Sequence, residues 1–294
     1  METIPAKTIV TRTKKPAAWF GAEYNMNIYR GCCHGCIYCD SRSVCYQNFD
    51  FDTVKAKEDA LRIIRDDLRR KVKSGVIATG SMSDPYNPLE REHRLTRNAL
   101  ELVNAFDFGI AIATKSALVT RDIDILKDIK SHSPVIVKLT VTTAGNDLCK
   151  KIEPDVSSPD ERFDAIRQLS DAGIFCGVLM MPILPFINDT EDNISEIMRR
   201  AKESGAKFIY PSFGMTLRTG NREYFYKKLD EHFPGVKQKY ISAYGERYVC
   251  TSKNAKKLWG TFTRQCNDLE LLYEMRSIVS AYKLGYSQQL SFFE

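Results

Sequence analysis

Six short apolar runs alternate with five amphipathic segments along the chain, and this alternation limits the fold more than any other feature. The runs cover residues 24–29, 76–80, 108–116, 135–143, 175–184 and 207–215. Each is almost continuously apolar, which is typical of strands buried on both faces of a parallel sheet. The segments between them carry apolar residues at helical spacing. Six βα units with no dinucleotide-binding glycine motif predict an α/β fold, a partial (β/α)6 barrel of the TIM type.

Two of the predicted helices have recognisable ends. Ser158, and either Asp189 or Thr190, precede helical segments that begin with carboxylates, as N-cap residues do. Gly173 and Gly205 end the same two segments. In a barrel of this kind, working residues lie at the carboxyl ends of the strands and in the loops that follow them.

The alternation stops near Met215, and the remaining sequence is basic. Residues 215–264 contain 11 Lys plus Arg against 4 Asp plus Glu, a net charge of +7, whereas the whole chain carries +6 and the rest therefore −1. Residues 218–240 and 269–285 are predicted to be helices. We expect an N-terminal basic segment (1–20), a barrel (21–215) and a basic, mostly helical C-terminal extension with a tail (216–294). Cations interleaved with aromatic residues favour a nucleic-acid partner, because they neutralise phosphates and stack on bases.

The sequence predicts a cytoplasmic protein that does not enter a membrane. The first 20 residues lack the apolar run of about 7 to 15 residues that a signal peptide needs. No apolar window reaches the length of about 18 residues that a spanning helix requires. The chain has nine cysteines, an odd number, which favours reduced thiols over a disulfide framework.

Four of these cysteines lie within eight positions, directly after the first predicted strand. Cys32, Cys36 and Cys39 have the spacing C-x3-C-x2-C. Three thiolates on one short loop can bind three irons of a cubane cluster and leave the fourth iron without a protein ligand. Zinc is the alternative, with His34 as a fourth ligand, although a histidine inside the loop makes tetrahedral closure cramped.

The cysteine spacing and its place after the first strand resemble the radical SAM superfamily. Two further segments, "SDPYNPLE" and "TKSALVTRDIDIL", resemble motifs of its spore photoproduct lyase-like branch, often labelled DNA repair photolyases. In that branch a TDPYxPxE-like loop and a TKSxxxxRDxxxL segment recur. The resemblance extends over roughly residues 20–215 and implies a barrel of the radical SAM type.

The resemblance implies a [4Fe–4S] cluster on Cys32, Cys36 and Cys39, with S-adenosylmethionine bound to the fourth iron. Reductive cleavage of this cofactor would release a 5′-deoxyadenosyl radical, with the electron supplied by a reductant such as flavodoxin or ferredoxin. The substrate implied is a nucleic-acid base or lesion. Two alternatives stay open: a peptide, protein or small-molecule substrate for the same chemistry, and a nucleic-acid-binding protein that holds zinc.

The residues expected to bind S-adenosylmethionine are polar groups at the ends of strands two, three and four. Lys115 could pair its ammonium with the cofactor carboxylate, and an unpaired lysine in an apolar strand is costly to bury. The threonines of strand four could reach the ribose. The full set is Ser81, Ser83, Asp84, Lys115, Ser116, Thr140 and Thr142.

Two predictions concern residues outside that set. The lyase is held to return hydrogen to its product radical through a cysteine near the end of strand two, but this chain has no cysteine between Cys45 and Cys149. Cys45 and Tyr86 are therefore the candidate hydrogen donors. In the tail, "QLSFF" at residues 289–293 resembles the peptide with which bacterial repair proteins dock on the sliding clamp.

Overall fold

The computed structural model describes residues 1–16 and 19–286. Its strands, in chain order, are β1 (Thr3–Ile4), β2 (Val10–Arg12), β3 (Tyr24–Met26), β4 (Tyr29–Arg30), β5 (Lys55–Lys57), β6 (Val76–Thr79), β7 (Gly109–Thr114), β8 (Val135–Thr140), β9 (Cys176–Met180), β10 (Phe208–Pro211), β11 (Gly214–Thr216) and β12 (Val249–Thr251). Its helices are α1 (Ala60–Arg69), α2 (Glu90–His93), α3 (Leu95–Ala105), α4 (Ile123–Lys130), α5 (Asn146–Ile152), α6 (Pro159–Asp171), α7 (Glu191–Glu203), α8 (Asn221–His232), α9 (Val236–Tyr244), α10 (Ala255–Asp268) and α11 (Met275–Lys283).

One seven-stranded sheet organises the molecule, in the order β10-β9-β8-β7-β6-β3-β2. Six strands of this sheet are parallel: β3, β6, β7, β8, β9 and β10. They lie side by side in the order in which they occur along the chain, and they match the six predicted apolar runs. Only β2 is antiparallel, at the edge beside β3. The sheet is open between β10 and β2, which confirms the partial barrel. Because its six main strands are parallel, their carboxyl ends meet along one edge.

The five predicted helices between the strands are confirmed as α1, α3, α4, α6 and α7. Ser158 caps α6 in a reciprocal capping box with Glu161, and Thr190 accepts a hydrogen bond from the Asn193 amide at the start of α7. The structure adds α5 and α10, which were not predicted. The helix expected over 269–285 was wrong at its start, because Leu272 pairs its backbone with Lys207 and Ile209 at the sheet edge before α11 begins.

The two faces of the central sheet have different coverings. The outer face packs against the helices that connect the strands, as its alternating side chains require. On the inner face, Val76, Ala111 and Ile136 contribute to a cluster that includes Ile278 and Tyr282 of α11. The Tyr282 hydroxyl also donates a 2.6 Å hydrogen bond to the Phe20 carbonyl. Helix α11 therefore packs against the inner face of the sheet.

One charged side chain lies within this inner face. Lys138 of β8 is 1 % exposed, and its Nζ stands 4.8 Å from the centre of the Phe20 ring. The hydrogen bonds found within residues 1–16 and 19–286 include none from its ammonium. Ala113 and Gly177, its register partners on the neighbouring strands, leave room for the long side chain. Burial lowers the pKa of Lys138 to about 7, which makes it a candidate source of instability in the fold.

Two further predictions concern membrane crossing and the clamp-binding tail. Among the described helices, none is both long enough and apolar enough to cross a membrane. The predicted clamp-binding peptide, residues 289–293, lies outside the described residues.

Candidate active site

A cavity of about 300 Å³ opens at the carboxyl edge of the sheet. The three loop cysteines with C-x3-C-x2-C spacing border it. Five of the seven residues predicted to bind S-adenosylmethionine border it as well. These eight residues are Cys32, Cys36, Cys39, Ser81, Ser83, Asp84, Lys115 and Thr140. The structure therefore brings together side chains from three strand ends and from the cysteine loop.

The three thiols differ in how readily they ionise. Burial raises the pKa of Cys36 well above its usual value, and burial likewise raises the pKa of Cys39. Burial opposes ionisation of Cys32 too, but a hydrogen bond and positive charge from His34 lower its pKa overall. His34 in turn lies 3.5 Å from Asp84. A thiolate-binding group inserted among these cysteines would supply the positive charge that their burial demands.

The number of thiols at the cavity suits a cubane cluster, which takes one thiolate on each of three irons. In a cubane cluster each thiolate binds a different iron, so the sulfurs surround the cluster rather than converge on one point. In the part of the chain that the structure describes, no three His, Cys, Asp or Glu side chains are grouped as a single-ion site. Cys32, Cys36 and Cys39 all border the cavity, and these residues fit a [4Fe–4S] group.

The loop after β6 is locked to the end of β7 through Asp84. Its carboxylate accepts hydrogen bonds from the Thr114 hydroxyl (2.6 Å) and the Lys115 amide (2.8 Å). It also accepts one from the amide of Tyr86 (2.9 Å). At Gly80, with φ +93°, a Cβ atom would stand 1.9 Å from the Ala113 carbonyl oxygen. Only glycine allows this close approach between the two strand ends.

A second set of buried bonds joins the same two segments farther from the cavity. The Tyr86 hydroxyl donates to Asp122 (3.0 Å), and Arg121 donates to Glu90 (2.9 Å). Glu90 also accepts from Tyr29 (2.5 Å). These contacts give a structural reason for the residues of "SDPYNPLE" and "TKSALVTRD" to occur together. Tyr86 is 1 % exposed and does not border the cavity.

Lys115 offers a positive charge to the cavity. It forms no ion pair within 4.0 Å among the described residues, and its Nζ lies 5.8 Å from the centre of the Tyr38 ring. Burial lowers the pKa of the ammonium, but the nearby acidic groups of Cys36, Glu153 and Asp84 outweigh burial and raise it. The side chain is therefore a cation available to an anionic group in the cavity.

The remaining predicted residues lie elsewhere. Ser116 caps the short 3-10 helix Ala117–Asp122 by accepting from the Leu118 amide (3.3 Å). Thr142 is fully buried and donates to Glu153 (3.2 Å). Cys45 is exposed, with an Arg218 nitrogen 3.2 Å from its sulfur. None of these three borders the cavity.

The cavity wall also has an apolar part. It is formed by side chains from the N-terminal segment, the loop after the cysteines, the loop after β6 and the end of β9. They are Trp19, Phe51, Met82, Leu179 and Met181. Leu179 and Met181 belong to a run that was predicted as a strand, but nothing local in the sequence indicates that Trp19 or Phe51 would reach this point.

A separate open groove of about 350 Å³ lies on the basic extension. Phe186, from the loop after β9, forms part of it, and the Lys253 ammonium lies 5.9 Å from the centre of that ring. Gln238, Lys239 and Ser242 of α9 line the same groove. Two cations, two hydrogen-bonding groups and an aromatic face therefore occur together where the sequence predicted a nucleic-acid partner.

Comparison with known proteins places this geometry in a family. The sequence profile of the Radical SAM superfamily matches residues 26–201. The uncharacterised protein MJ0683 of Methanocaldococcus jannaschii is 36 % identical over 196 residues, covering 66 % of this chain and 71 % of that protein. The uncharacterised protein Rv2578c of Mycobacterium tuberculosis is 28 % identical over 235 residues, covering 78 % of this chain and 69 % of that protein.

The fold is also found in a solved structure. Spore photoproduct lyase complexed with dinucleoside spore photoproduct superimposes with a TM-score of 0.67 at 18 % sequence identity. The match covers 91 % of this chain and 78 % of the lyase chain. At this level of identity the similarity shows a common fold over most of the chain.

Proposed function

This chain belongs to the radical SAM superfamily, and we propose that it directs the chemistry of that family at a base or lesion in a nucleic acid. Enzymes of the family use a [4Fe–4S] cluster and S-adenosylmethionine. When bound, the cluster supplies the electron that cleaves S-adenosylmethionine and releases a 5′-deoxyadenosyl radical. Family membership favours this use of the cysteines over the zinc alternative.

One observation carries the proposal for the cofactor site. Three thiols border a cavity that also contains an ammonium with no carboxylate partner among the described residues. Cys32, Cys36 and Cys39 would hold the cluster, and Lys115 would bind the carboxylate of S-adenosylmethionine. Ser81 and Ser83 provide small polar groups beside them, and Thr140 lies at the β8 end. The apolar wall would keep water away from the reacting atoms.

Replacing Lys115 with methionine should weaken the binding of S-adenosylmethionine. The change keeps the chain length but removes the cation, and a hydrogen bond to a charged group contributes about 1.5 to 3 kcal/mol. We expect the dissociation constant to rise about 10-fold to 100-fold, with the iron content unchanged. Isothermal titration of the reconstituted protein measures it, with Lys127→Met on the surface of α4 as the matched control. Equal affinity in both variants would exclude the proposed role of Lys115.

The nucleic-acid part of the proposal is supported by the basic groove. A base could stack on Phe186 while phosphates approach Lys239 and Lys253, which is how proteins commonly hold unpaired strands. The lyase with the similar fold binds a dinucleoside photoproduct. Because a base inside a duplex cannot reach an enclosed cavity, a single-stranded, extruded or distorted substrate is expected.

Substituting both groove lysines should weaken binding to single-stranded DNA. With Lys239→Ala and Lys253→Ala combined, two phosphate contacts are lost, and the salt dependence of log K should become shallower by about 1.4. Fluorescence anisotropy with a labelled oligonucleotide over a range of salt concentrations measures this slope. Lys127→Ala with Lys130→Ala, also two surface lysines, is the control. An unchanged slope in the groove variant would favour the alternative of a peptide, protein or small-molecule substrate.

Three further predictions stay part of the proposal. Cys45 and Tyr86 are the predicted hydrogen donors, and since neither borders the cavity, either would have to act over a distance. A reductant such as flavodoxin or ferredoxin would supply the electron. The tail peptide at 289–293 would dock on a sliding clamp.

A further inference from the structure

The segment that follows α5 lies along the cysteine loop and holds its backbone. The Ile37 amide donates to the Ile152 carbonyl (3.0 Å), and the Asp155 amide donates to the His34 carbonyl (3.2 Å). Between these bonds the two segments are in close contact at Gly35. This residue has φ +66°, and a Cβ atom there would stand 2.8 Å from Pro154 Cγ. Residues 152–155 therefore pack along the backbone of residues 34–37, and we call residues 152–155 the cradle.

The cradle also holds Tyr38, one of the two side chains between Cys36 and Cys39. Tyr38 is buried, and its hydroxyl donates a hydrogen bond to Glu153. The same carboxylate accepts from the Thr142 hydroxyl (3.2 Å) just beyond β8. Since Cys36 and Cys39 flank Tyr38 in the chain, a fixed ring restricts the backbone that carries both thiols.

Glu153 is itself fixed by a buried ion pair. Arg162 donates to it at 2.7 Å, and both side chains are 0 % exposed. Other nitrogens of Arg162 donate to the carbonyls of Thr140 (2.6 Å) and Ser157 (2.7 Å). Burying an ion pair costs desolvation free energy that the pair hardly recovers, so its value lies more in fixing geometry than in stability. The pair connects Tyr38 to the β8 end of the sheet, where Thr140 borders the cavity.

We propose that Glu153 is a positioning residue that fixes Tyr38 and thereby sets the directions in which the Cys36 and Cys39 thiolates point. This inference rests on the proposed cluster site. Without the carboxylate, the three cysteines are still present and can still bind iron. The loop is then less restrained, and a misplacement of even 1 Å at a reacting centre can reduce a rate about 100-fold.

The test compares Tyr38→Phe and Glu153→Gln with Tyr46→Phe. Tyr46 is a tyrosine of the same loop region whose hydroxyl donates to Asp40 at the surface (3.2 Å), so its substitution is a matched control. Each protein is reconstituted anaerobically. The measurements are iron per chain, the electron paramagnetic resonance spectrum of the reduced protein before and after S-adenosylmethionine is added, and the rate of 5′-deoxyadenosine formation.

We expect wild type and Tyr46→Phe to agree in all three measurements. Tyr38→Phe and Glu153→Gln should keep their iron, lose most of the spectral change caused by S-adenosylmethionine, and form 5′-deoxyadenosine about 10-fold to 100-fold more slowly. If Glu153→Gln does not fold, Tyr38→Phe decides the matter, because it removes one oxygen atom and leaves the ion pair intact. Spectra of Tyr38→Phe identical to wild type would overturn the positioning role. Wild-type protein that takes up no cluster would overturn the proposed function, and this inference with it.

Discussion

We expect the Cys36→Ala protein to lose both its cluster and all measurable cleavage of S-adenosylmethionine. Cys36 is one of three thiols that border the cavity, and a cubane cluster held by only two protein thiolates is no longer anchored on three of its irons. Reconstituted wild type should bind about four irons per chain and absorb near 400 nm, roughly the band of such clusters. The variant should have neither property, and chromatography should detect no 5′-deoxyadenosine.

The neighbouring cysteine provides the control for this experiment. Cys33 is adjacent to Cys32 in sequence but does not border the cavity. Cys33→Ala should therefore keep its iron and its absorbance. A cluster that persists in Cys36→Ala, or one that is lost equally in Cys33→Ala, would contradict the assignment of the three ligands.

Replacing Lys138 with methionine should stabilise the fold by about 3 to 5 kcal/mol at pH 7. The substitution keeps the length of the side chain and removes an ammonium that burial disfavours. The pKa falls from an ordinary 10.5 to about 7 in the folded chain. Each unit of difference between these two pKa values corresponds to about 1.4 kcal/mol of lost folding stability at low pH. The full loss therefore approaches about 5 kcal/mol. Urea unfolding at constant pH measures the gain.

The gain should depend on pH in a defined direction. Between pH 7 and 10.5 the unfolded chain keeps its proton on Lys138 while the folded chain has lost it. The unfolded state then binds more protons, so wild-type stability rises with pH over this window. The advantage of methionine is therefore complete below pH 7 and disappears above pH 10.5. A gain that is constant with pH, or equal to that of the exposed control Lys127→Met, would contradict the buried-ammonium account.

Much of the barrel could be predicted from the sequence, because the central strands are largely buried on both faces and are mostly apolar. The pairings of the shorter strands could not be predicted. β1 and β2 have two and three residues, and they exist only because distant segments supply their partners. Residues 269–274 have helical composition, yet the exposed edge of β10 engages Leu272 first. In each case a long-range hydrogen bond decided the structure, and local composition does not encode such a bond.

The sequence likewise predicted one part of the candidate site and missed another. Cysteine spacing indicated the proposed cluster ligands, and the polar strand ends indicated Asp84 and Lys115 as residues of the candidate site. Thr140 and Thr142 were both expected to reach the cofactor ribose from strand four. Alternate residues share a face only within a strand, and β8 ends at Thr140, so Thr142 faces Glu153 instead. Glu153 lies in the bend after an unpredicted helix, and its partner Arg162 resembles an ordinary polar residue of α6. Only the folded chain shows that they meet.

The most direct test of the central claim follows a hydrogen atom from nucleic acid to the cofactor product. Reconstituted protein, dithionite and S-adenosylmethionine are incubated with a single-stranded oligonucleotide deuterated in its bases and sugars, either intact or irradiated so that it carries photolesions, and the mass of the 5′-deoxyadenosine is measured by mass spectrometry. A radical enzyme that acts on nucleic acid is predicted to yield 5′-deoxyadenosine that carries one added deuterium, together with a changed nucleoside in the digested strand. Cleavage of S-adenosylmethionine with no deuterium gained and no altered nucleoside, for DNA and RNA alike, would contradict it.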